Sequence, residues 1–121
     1  MSKSRILVAD DELGIRESLT LILGEEYELV FAEDGEQALA KIKNDSLDLV
    51  LLDIKMPKLD GIEVLRRAKQ NGFTAPILML TAYQSVELAK AAIKLGALDY
   101  LPKPFDRNQI LTTVRGVLAR R

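Results

Sequence analysis

The chain contains 121 residues, of which 48% are hydrophobic and 29% charged, a balance typical of one soluble globular domain. Its 17 basic and 18 acidic residues give a formal net charge of −1, so charge offers no reason to expect binding to nucleic acid or to an anionic membrane. The absence of cysteine and histidine excludes disulfides, thiolate or imidazole metal ligands and imidazole bases. Any chemistry must use carboxylates, hydroxyls, amines, backbone groups or a hard metal ion.

The apolar runs are short. None approaches the roughly 18 residues that a membrane-spanning helix needs. The first run, residues 6–9, is also too short for the core of a signal peptide, and acidic residues follow it directly. We therefore expect one domain over residues 1–121, located in the cytoplasm and not bound to a membrane.

Apolar runs alternate with segments of helical periodicity along the chain. In chain order, the predicted strands cover residues 6–9, 27–31, 48–52, 77–80 and 98–101. The predicted helices cover residues 13–24, 34–43, 60–70, 84–95 and 106–118. Strands that alternate with helices of about ten residues predict right-handed crossovers and a parallel sheet.

The strands differ in polarity, which predicts their order. The first, third and fourth are the most hydrophobic and are expected at the centre of the sheet, whereas the second and fifth are expected at its edges. This pattern predicts an α/β, flavodoxin-like doubly wound (βα)5 fold with a five-stranded parallel sheet in the order 2-1-3-4-5.

Polar residues follow the strands at the points where the strands end: Asp10, Asp11, Asp53, Thr81 and Lys103. Because the carboxyl ends of parallel strands meet at one edge of the sheet, we expect these side chains to lie together. Three neighbouring carboxylates repel one another unless a cation intervenes, and Mg²⁺ prefers such oxygen ligands. A carboxylate beside Mg²⁺ and an ammonium is suited to phosphoryl transfer with the carboxylate as nucleophile.

Each residue alone has a simpler interpretation. A single aspartate at a strand end is usually a turn or cap residue, and Asp34, Asp60 and Asp106 are interpreted as helix N-caps. Lys103, which lies between two prolines, is by itself consistent with a solvated loop lysine. The combination of acids, hydroxyl and amine at one sheet edge therefore carries the functional hypothesis.

The same residues resemble the response-regulator receiver domain of bacterial two-component signalling, over essentially the whole chain. The matching motifs are Asp10-Asp11, Asp53 with Met56-Pro57 and Asp60-Gly61, Thr81-Ala82, and Lys103-Pro104-Phe105. The resemblance implies a phosphorylation-activated, Mg²⁺-dependent switch that promotes its own phosphorylation and dephosphorylation but has no separate substrate turnover.

The resemblance also implies how the acids act. Asp53 would be the phosphoacceptor. Asp11, Asp53 and the backbone carbonyl of Lys55 would bind Mg²⁺, or Mn²⁺ in its place, and Asp10 would hold a metal-bound water. Because this chain has no histidine, the donor would be a phosphohistidine on a sensor histidine kinase or histidine phosphotransferase, or a small-molecule phosphodonor.

Further roles are implied at the ends of the last two strands. Lys103 would pair with the phosphoryl oxygens, and Thr81 would turn its hydroxyl towards them. Tyr100 matches the switch aromatic of the family, which moves inward as the threonine shifts. The Lys103–Pro104 bond is expected to be cis by the same resemblance.

Two positions are expected to set the lifetime of the phosphorylated state. Lys55 and Tyr83 lie two residues after Asp53 and Thr81. In members of the family, long side chains at such positions hinder the attack of water on the acyl phosphate. We therefore expect slow self-dephosphorylation.

Two partner surfaces follow from the resemblance. Gly14 and Ile15, close to the acid pair, match the surface on which donor histidine helices dock, although Ile15 equally fits the apolar face of its helix. A homodimer is expected through the last two helices and the last strand, a surface that includes Lys90, Lys94, Tyr100, Arg107 and Arg115.

Other functional classes fit less well. A haloacid-dehalogenase-type aspartyl-phosphate phosphatase would carry an Asp-x-Asp motif, whereas this chain has Asp53-Ile54-Lys55. A receiver-like module that has lost phosphorylation would lack part of the acidic set, which is complete here. No glycine-rich nucleotide-binding motif occurs, and no direct nucleic-acid binding is expected.

Overall fold

The computed structural model describes residues 3–82 and 86–120, which form five βα units. The strands are β1 (Arg5–Ala9), β2 (Glu28–Ala32), β3 (Leu49–Asp53), β4 (Ile77–Ala82) and β5 (Asp99–Lys103). The helices are α1 (Leu13–Leu23), α2 (Gly35–Asn44), α3 (Gly61–Gln70), α4 (Val86–Lys94) and α5 (Arg107–Ala119). In the described part of the chain, no helix is both long and apolar enough to cross a membrane.

All strand pairs are parallel, and the strand order is β2-β1-β3-β4-β5. The predicted flavodoxin-like topology is therefore confirmed. The chain reverses its direction of winding between β1 and β3, where Ala9 pairs with Leu52. This switch point is the place where open α/β sheets bind ligands.

The sheet separates two apolar layers because successive strand residues face opposite sides. All five residues of β3 are buried, as expected for a strand covered on both faces. One layer lies against α2, α3 and α4 and includes Leu7, Ala9, Val50, Leu52, Ile77 and Met79. The other lies against α1 and α5 and includes Ile6, Val8, Leu49, Leu51, Leu78 and Leu80.

The three predicted N-caps are confirmed. The side chain of Asp34 accepts a hydrogen bond from the Gln37 amide at 2.8 Å, and that of Asp60 accepts one from the Glu63 amide at 2.9 Å. The Asp106 carboxylate accepts one from Asn108 at 2.8 Å. Each bond satisfies a helix N–H that lacks an intrahelical partner.

The main difference from the predicted elements lies in β5, which was expected to end at residue 101. The strand continues through Pro102 to Lys103, which pairs with Ala82 of β4. A proline is tolerated because β5 is an edge strand, where one side of the backbone needs no ladder partner. The expected cis bond between Lys103 and Pro104 is present.

The loop between β3 and α3 is held against the start of α2. The Gly35 amide donates to the Pro57 carbonyl at 3.2 Å, and a Cβ at Gly35 would lie 1.7 Å from the Leu59 carbonyl oxygen. At the other end of the loop, a Cβ at Gly61 would lie 2.0 Å from the Asp53 carbonyl oxygen. Lys58 adopts a φ of 69°, and its ammonium lies 3.5 Å from the Asp34 carboxylate. These contacts fix the loop directly beyond Asp53.

Candidate functional site

The carboxyl ends of β1, β3 and β5 bring distant parts of the chain to one cleft. The cleft has a volume of about 280 Å³ and is lined by Asp11, Glu12, Asp53, Ile54, Lys55, Ala82 and Lys103. β1 and β3 are neighbours, so their aspartates meet directly. Lys103 lies beyond β4, and its long side chain spans that strand to reach them.

Lys103 contacts three carboxylates at once. Its Nζ lies 2.7 Å from Asp10 Oδ2, 3.2 Å from Glu12 Oε1 and 3.4 Å from Asp53 Oδ2. Burial lowers the pKa of the ammonium, but the hydrogen bond to Asp10 and the charges of Asp53 and Asp10 outweigh that effect and raise the pKa above its ordinary value. Lys103 therefore stays protonated and supplies a fixed positive charge to the cleft.

Asp10 is fully buried at the base of the cluster. Its Oδ1 accepts a hydrogen bond from the Glu12 amide at 2.9 Å. Apart from the Lys103 ammonium, its Oδ2 meets no hydrogen-bond donor within residues 3–82 and 86–120. Burial raises the pKa of Asp10, against the hydrogen bonds from Lys103 and Glu12.

Asp53 has the most perturbed environment. Burial has the largest effect on the pKa of Asp53, and the negative charge of Asp10 has the second largest. Together they raise this pKa to about 6, against the attraction of Lys103. The side chain is 8% exposed, so water screens these effects poorly. A poorly solvated carboxylate beside a second negative charge is a site that gains from an added cation.

The cluster fits a divalent cation. Carboxylate oxygens of Asp10, Asp11, Glu12 and Asp53 all lie within 4.8 Å of one another. Four carboxylates exceed the positive charge of the Lys103 ammonium beside them, and oxygen donors without nitrogen or sulfur suit Mg²⁺. The sequence interpretation did not include Glu12 in this set. Its position directly after the Asp10-Asp11 pair is the signal that could have identified it.

Thr81 lies near the carboxyl end of β4, whereas Tyr100 is the second residue of β5, three positions before Lys103; neither residue lines the cleft. The Thr81 side chain is buried, and its hydroxyl donates to the Ala82 carbonyl at 3.0 Å. Tyr100 is half-buried and packs against the apolar layer beneath α2, α3 and α4.

The remaining predicted positions fall into three groups. Lys55 is exposed at the cleft, and its amide donates to Asp53 Oδ1 at 3.4 Å. Tyr83 lies outside the described residues. Gly14 is exposed on α1, whereas Ile15 is half-buried and packs against the layer beneath α1 and α5, which supports its core role.

Two exposed cations of the expected dimer surface have a partner in their own chain: Lys90, whose ammonium lies 3.5 Å from Glu87, and Arg115. The Arg115 guanidinium pairs with Glu26, a contact that lowers the pKa of Glu26. This pair joins α5 to the turn after α1. Lys90, Lys94 and Arg107 are exposed.

Comparison with known proteins decides the family. The family described as the response regulator receiver domain matches residues 6–115. The chain belongs to this family. The receiver domain is also 46% identical, over 117 residues, to a response regulator MprA from Mycolicibacterium vanbaalenii. The match covers 96% of this chain and 51% of that protein, so the chain spans about half the length of this curated relative.

Solved structures agree with the assignment. A CheY-like receiver domain protein from Methanospirillum hungatei superposes with a TM-score of 0.91 at 34% identity, covering 98% of this chain and 96% of that one. The receiver domain of NtrX from Brucella abortus gives a TM-score of 0.89 at 34% identity, covering 96% and 99%. The family prediction is confirmed, and the dehalogenase-type alternative gains no support.

Proposed function

We propose that this receiver domain is a phosphorylation-activated switch whose phosphoacceptor is Asp53. The observation that carries the proposal is the position of Asp53, a buried carboxylate at the end of the central strand, 3.4 Å from the Lys103 ammonium and within the acidic cluster. Family membership supports the class of reaction. The domain promotes its own phosphorylation and dephosphorylation without turning over a separate substrate.

The chemistry requires one nucleophilic oxygen and positive charge around the phosphoryl group. An Oδ atom of Asp53 forms the new P–O bond as the P–N bond of the donor phosphohistidine breaks, and the donor imidazole leaves. Lys103 pairs with the phosphoryl oxygens. Asp11, Asp53 and the Lys55 carbonyl would hold Mg²⁺, and Asp10 would act through a water. The ion supplies positive charge to the transferring group when bound.

The donor is outside this chain, which contains no histidine. A sensor histidine kinase or a histidine phosphotransferase, docked near Gly14 at the start of α1, would supply the phosphoryl group. Such a donor is consistent with a cytoplasmic location. In the switch itself, the Thr81 hydroxyl would leave the Ala82 carbonyl and bind a phosphoryl oxygen, and Tyr100 would move further inward.

Intact-mass measurement tests the phosphoacceptor. In acetyl phosphate and Mg²⁺, the wild type should gain the mass of one phosphoryl group and Asp53→Asn should gain none. Asp60→Asn is a matched control, since asparagine caps a helix as well as aspartate does and Asp60 lies outside the cleft. An unmodified wild type, or an adduct on Asp53→Asn, would contradict the proposal.

The lifetime of the phosphorylated state tests the two long side chains. Lys55 is exposed at the cleft mouth, where its side chain can shield the acyl phosphate from water. The double variant Lys55→Asn with Tyr83→Ala should shorten the phosphorylated half-life, measured by loss of the adduct. Lys58→Asn, on the same loop but outside the cleft lining, should leave it unchanged. An unaltered half-life in the double variant would refute the role.

Phosphorylation would promote a homodimer through α4, β5 and α5. The observation that favours this surface is its exposed apolar side chains, Ile93 at 40% and Leu98 at 52%. Light scattering should show a larger species after phosphorylation, and Leu98→Asp should prevent it. Leu21→Asp, which changes a 78% exposed leucine on α1, should not. A phosphorylated wild type that stays monomeric would rule the surface out.

A further inference from the structure

Arg16 on α1 reaches back to the acidic cluster from outside the cleft. Its Nη1 donates to the Asp10 backbone carbonyl at 2.7 Å, and its Nη2 lies 3.2 Å from Glu33 Oε1. The side chain is only 13% exposed, although it begins on a solvent-facing turn of the helix. Few arginines are buried to this degree without a specific partner.

The Asp10 carbonyl belongs to the peptide that joins Asp10 to Asp11, so its orientation decides where Asp11 points. β1 ends at Ala9 and α1 begins at Leu13, which places this peptide outside any regular hydrogen-bond ladder. The other polar groups of Asp10 are held by different elements: its amide by the Ala32 carbonyl at 3.0 Å, Oδ1 by the Glu12 amide and Oδ2 by Lys103. Arg16 supplies the remaining contact.

We infer that Arg16 is a positioning residue: by holding the Asp10 carbonyl, it fixes the Asp10–Asp11 peptide in the orientation that directs the Asp11 carboxylate into the divalent-cation site. The inference rests on the proposed function, in which Asp11 is a metal ligand. Arg16 itself is absent from the lining of the cleft and acts only through the backbone of Asp10.

Two simpler roles for Arg16 make different predictions. If Arg16 only formed its ion pair with Glu33, which is 64% exposed, the contact would matter little. If it acted only through its charge, removing that charge would strengthen cation binding, because one positive group near the site would be lost. A positioning role predicts weaker binding even when the charge is kept.

Substitution at Arg16 should leave the core intact. The side chain lines an open groove of about 430 Å³ between α1 and the start of α2, together with Leu13, Phe31 and Gln37, and does not belong to either apolar layer. A shorter side chain therefore enlarges a solvent-filled groove and creates no buried cavity. This property makes binding measurements on folded variants possible.

The test is calorimetric titration of the unphosphorylated protein with MgCl₂, for the wild type, Arg16→Lys and Arg16→Gln. Lysine keeps the charge but not the forked donor geometry, so both variants should bind Mg²⁺ about tenfold more weakly, the usual loss when an outer support of a metal site is removed. Glu33→Gln, which breaks only the exposed ion pair of Arg16, and Arg66→Gln, which breaks an exposed ion pair on α3, should stay within about twofold of the wild type.

Amide hydrogen exchange is a second measurement, and it tests whether the Asp10–Asp11 peptide keeps its orientation. The Glu12 amide, which donates to Asp10 Oδ1, should exchange its hydrogen faster in both Arg16 variants than in Glu33→Gln. Unchanged Mg²⁺ affinity and Glu12 exchange in Arg16→Lys would overturn the inference, as would tighter binding in Arg16→Gln. These outcomes leave the proposed function standing, because its failure appears separately, as a wild type that gains no phosphoryl adduct.

Discussion

At the scale of single residues, Asp53 combines burial with negative neighbours. The same features that suit it to a cation make its charged form costly in the folded chain. With divalent cations chelated, the folded pKa of about 6 lies above the value of 3.8 for a free side chain. Because the folded pKa lies above the unfolded one, protonated Asp53 contributes its full stabilisation of the fold below pH 3.8. This contribution is lost as the pH rises through about 6.

The pH dependence of stability should therefore reveal Asp53. We expect Asp53→Asn to be more stable than the wild type by a margin that grows between pH 5 and pH 7.5, on the order of 1 kcal/mol. Urea unfolding at the two pH values, in chelator, measures the margin. Asp60→Asn should show no such growth. A margin for Asp53→Asn that shrinks with rising pH would contradict the assigned environment.

The Lys103 ammonium offsets the cost of burying negative charge at the site, since it pairs with the fully buried Asp10 carboxylate. Removing one partner of a buried ion pair leaves an uncompensated charge, so Lys103→Met should lower the free energy of unfolding by about 3 kcal/mol near neutral pH without metal. Asp10→Asn in the Lys103→Met background should recover much of that loss. A double variant no more stable than Lys103→Met would show that the two residues are not coupled.

The residues of the site could be predicted from the sequence only where position along a strand decides the outcome. Asp10 and Asp11 follow β1, and Asp53 and Lys103 end β3 and β5, so strand topology alone brings them together. Arg16 has no comparable signal, because its contact depends on a side chain folding back across a helix turn to a backbone carbonyl. A helical arginine with that reach is indistinguishable in sequence from a solvated one.

At the scale of elements, the loop between β3 and α3 depends on close backbone approach. Gly35 and Gly61 lie where neighbouring carbonyl oxygens leave no room for a Cβ. Residues larger than glycine would fit at these two positions only if the loop moved. Because this loop begins at Asp53 and carries Lys55, a shift here would displace the expected metal ligands.

Two glycine substitutions should therefore have opposite effects. Gly35→Ala should destabilise the fold by at least about 2 kcal/mol, since its Cβ would collide with the Leu59 carbonyl. Gly116→Ala, within α5, where the added Cβ would meet no side chain or neighbouring element within 4 Å, should stabilise it by roughly 0.5–1 kcal/mol through helix propensity. Urea unfolding compares them. Equal effects would mean that packing at Gly35 has been misjudged.

The elements themselves were predictable where a local rule applied. Asp34 and Asp60 each precede a helical apolar pattern, and each caps its helix as expected. The end of β5 was not predictable in this way, because Pro102 normally indicates the end of a strand. Only the position of β5 at the sheet edge, a tertiary property, allows the strand to continue to Lys103.

At the scale of the whole molecule, the proposed cation site can form only when the sheet is complete. Asp11, Asp53 and Lys103 come from three strand ends, and nothing local in the sequence holds them together in an unfolded chain. The topology that unites them could be predicted because the central strands are more aliphatic than the edge strands. The site and the global fold should therefore be thermodynamically linked.

Mg²⁺ should stabilise the entire domain, because the proposed site for the ion is present in the folded chain and not in the unfolded one. At a concentration 100 times its dissociation constant, the gain in unfolding free energy should be about 2.7 kcal/mol, visible as a higher thermal midpoint. The gain should be larger at pH 7.5 than at pH 5, since below its raised pKa Asp53 holds a proton that the cation must displace.

Asp11→Asn is the matched variant for this linkage, because it removes one proposed ligand at an exposed position without touching the buried core. At the same Mg²⁺ concentration its gain should be much smaller, whereas Asp99→Asn, an exposed aspartate at the opposite end of β5 from Lys103, should gain as the wild type does. Equal gains in Asp11→Asn and the wild type would place the cation elsewhere. A gain that falls as pH rises would show that Asp53 does not take part in binding it.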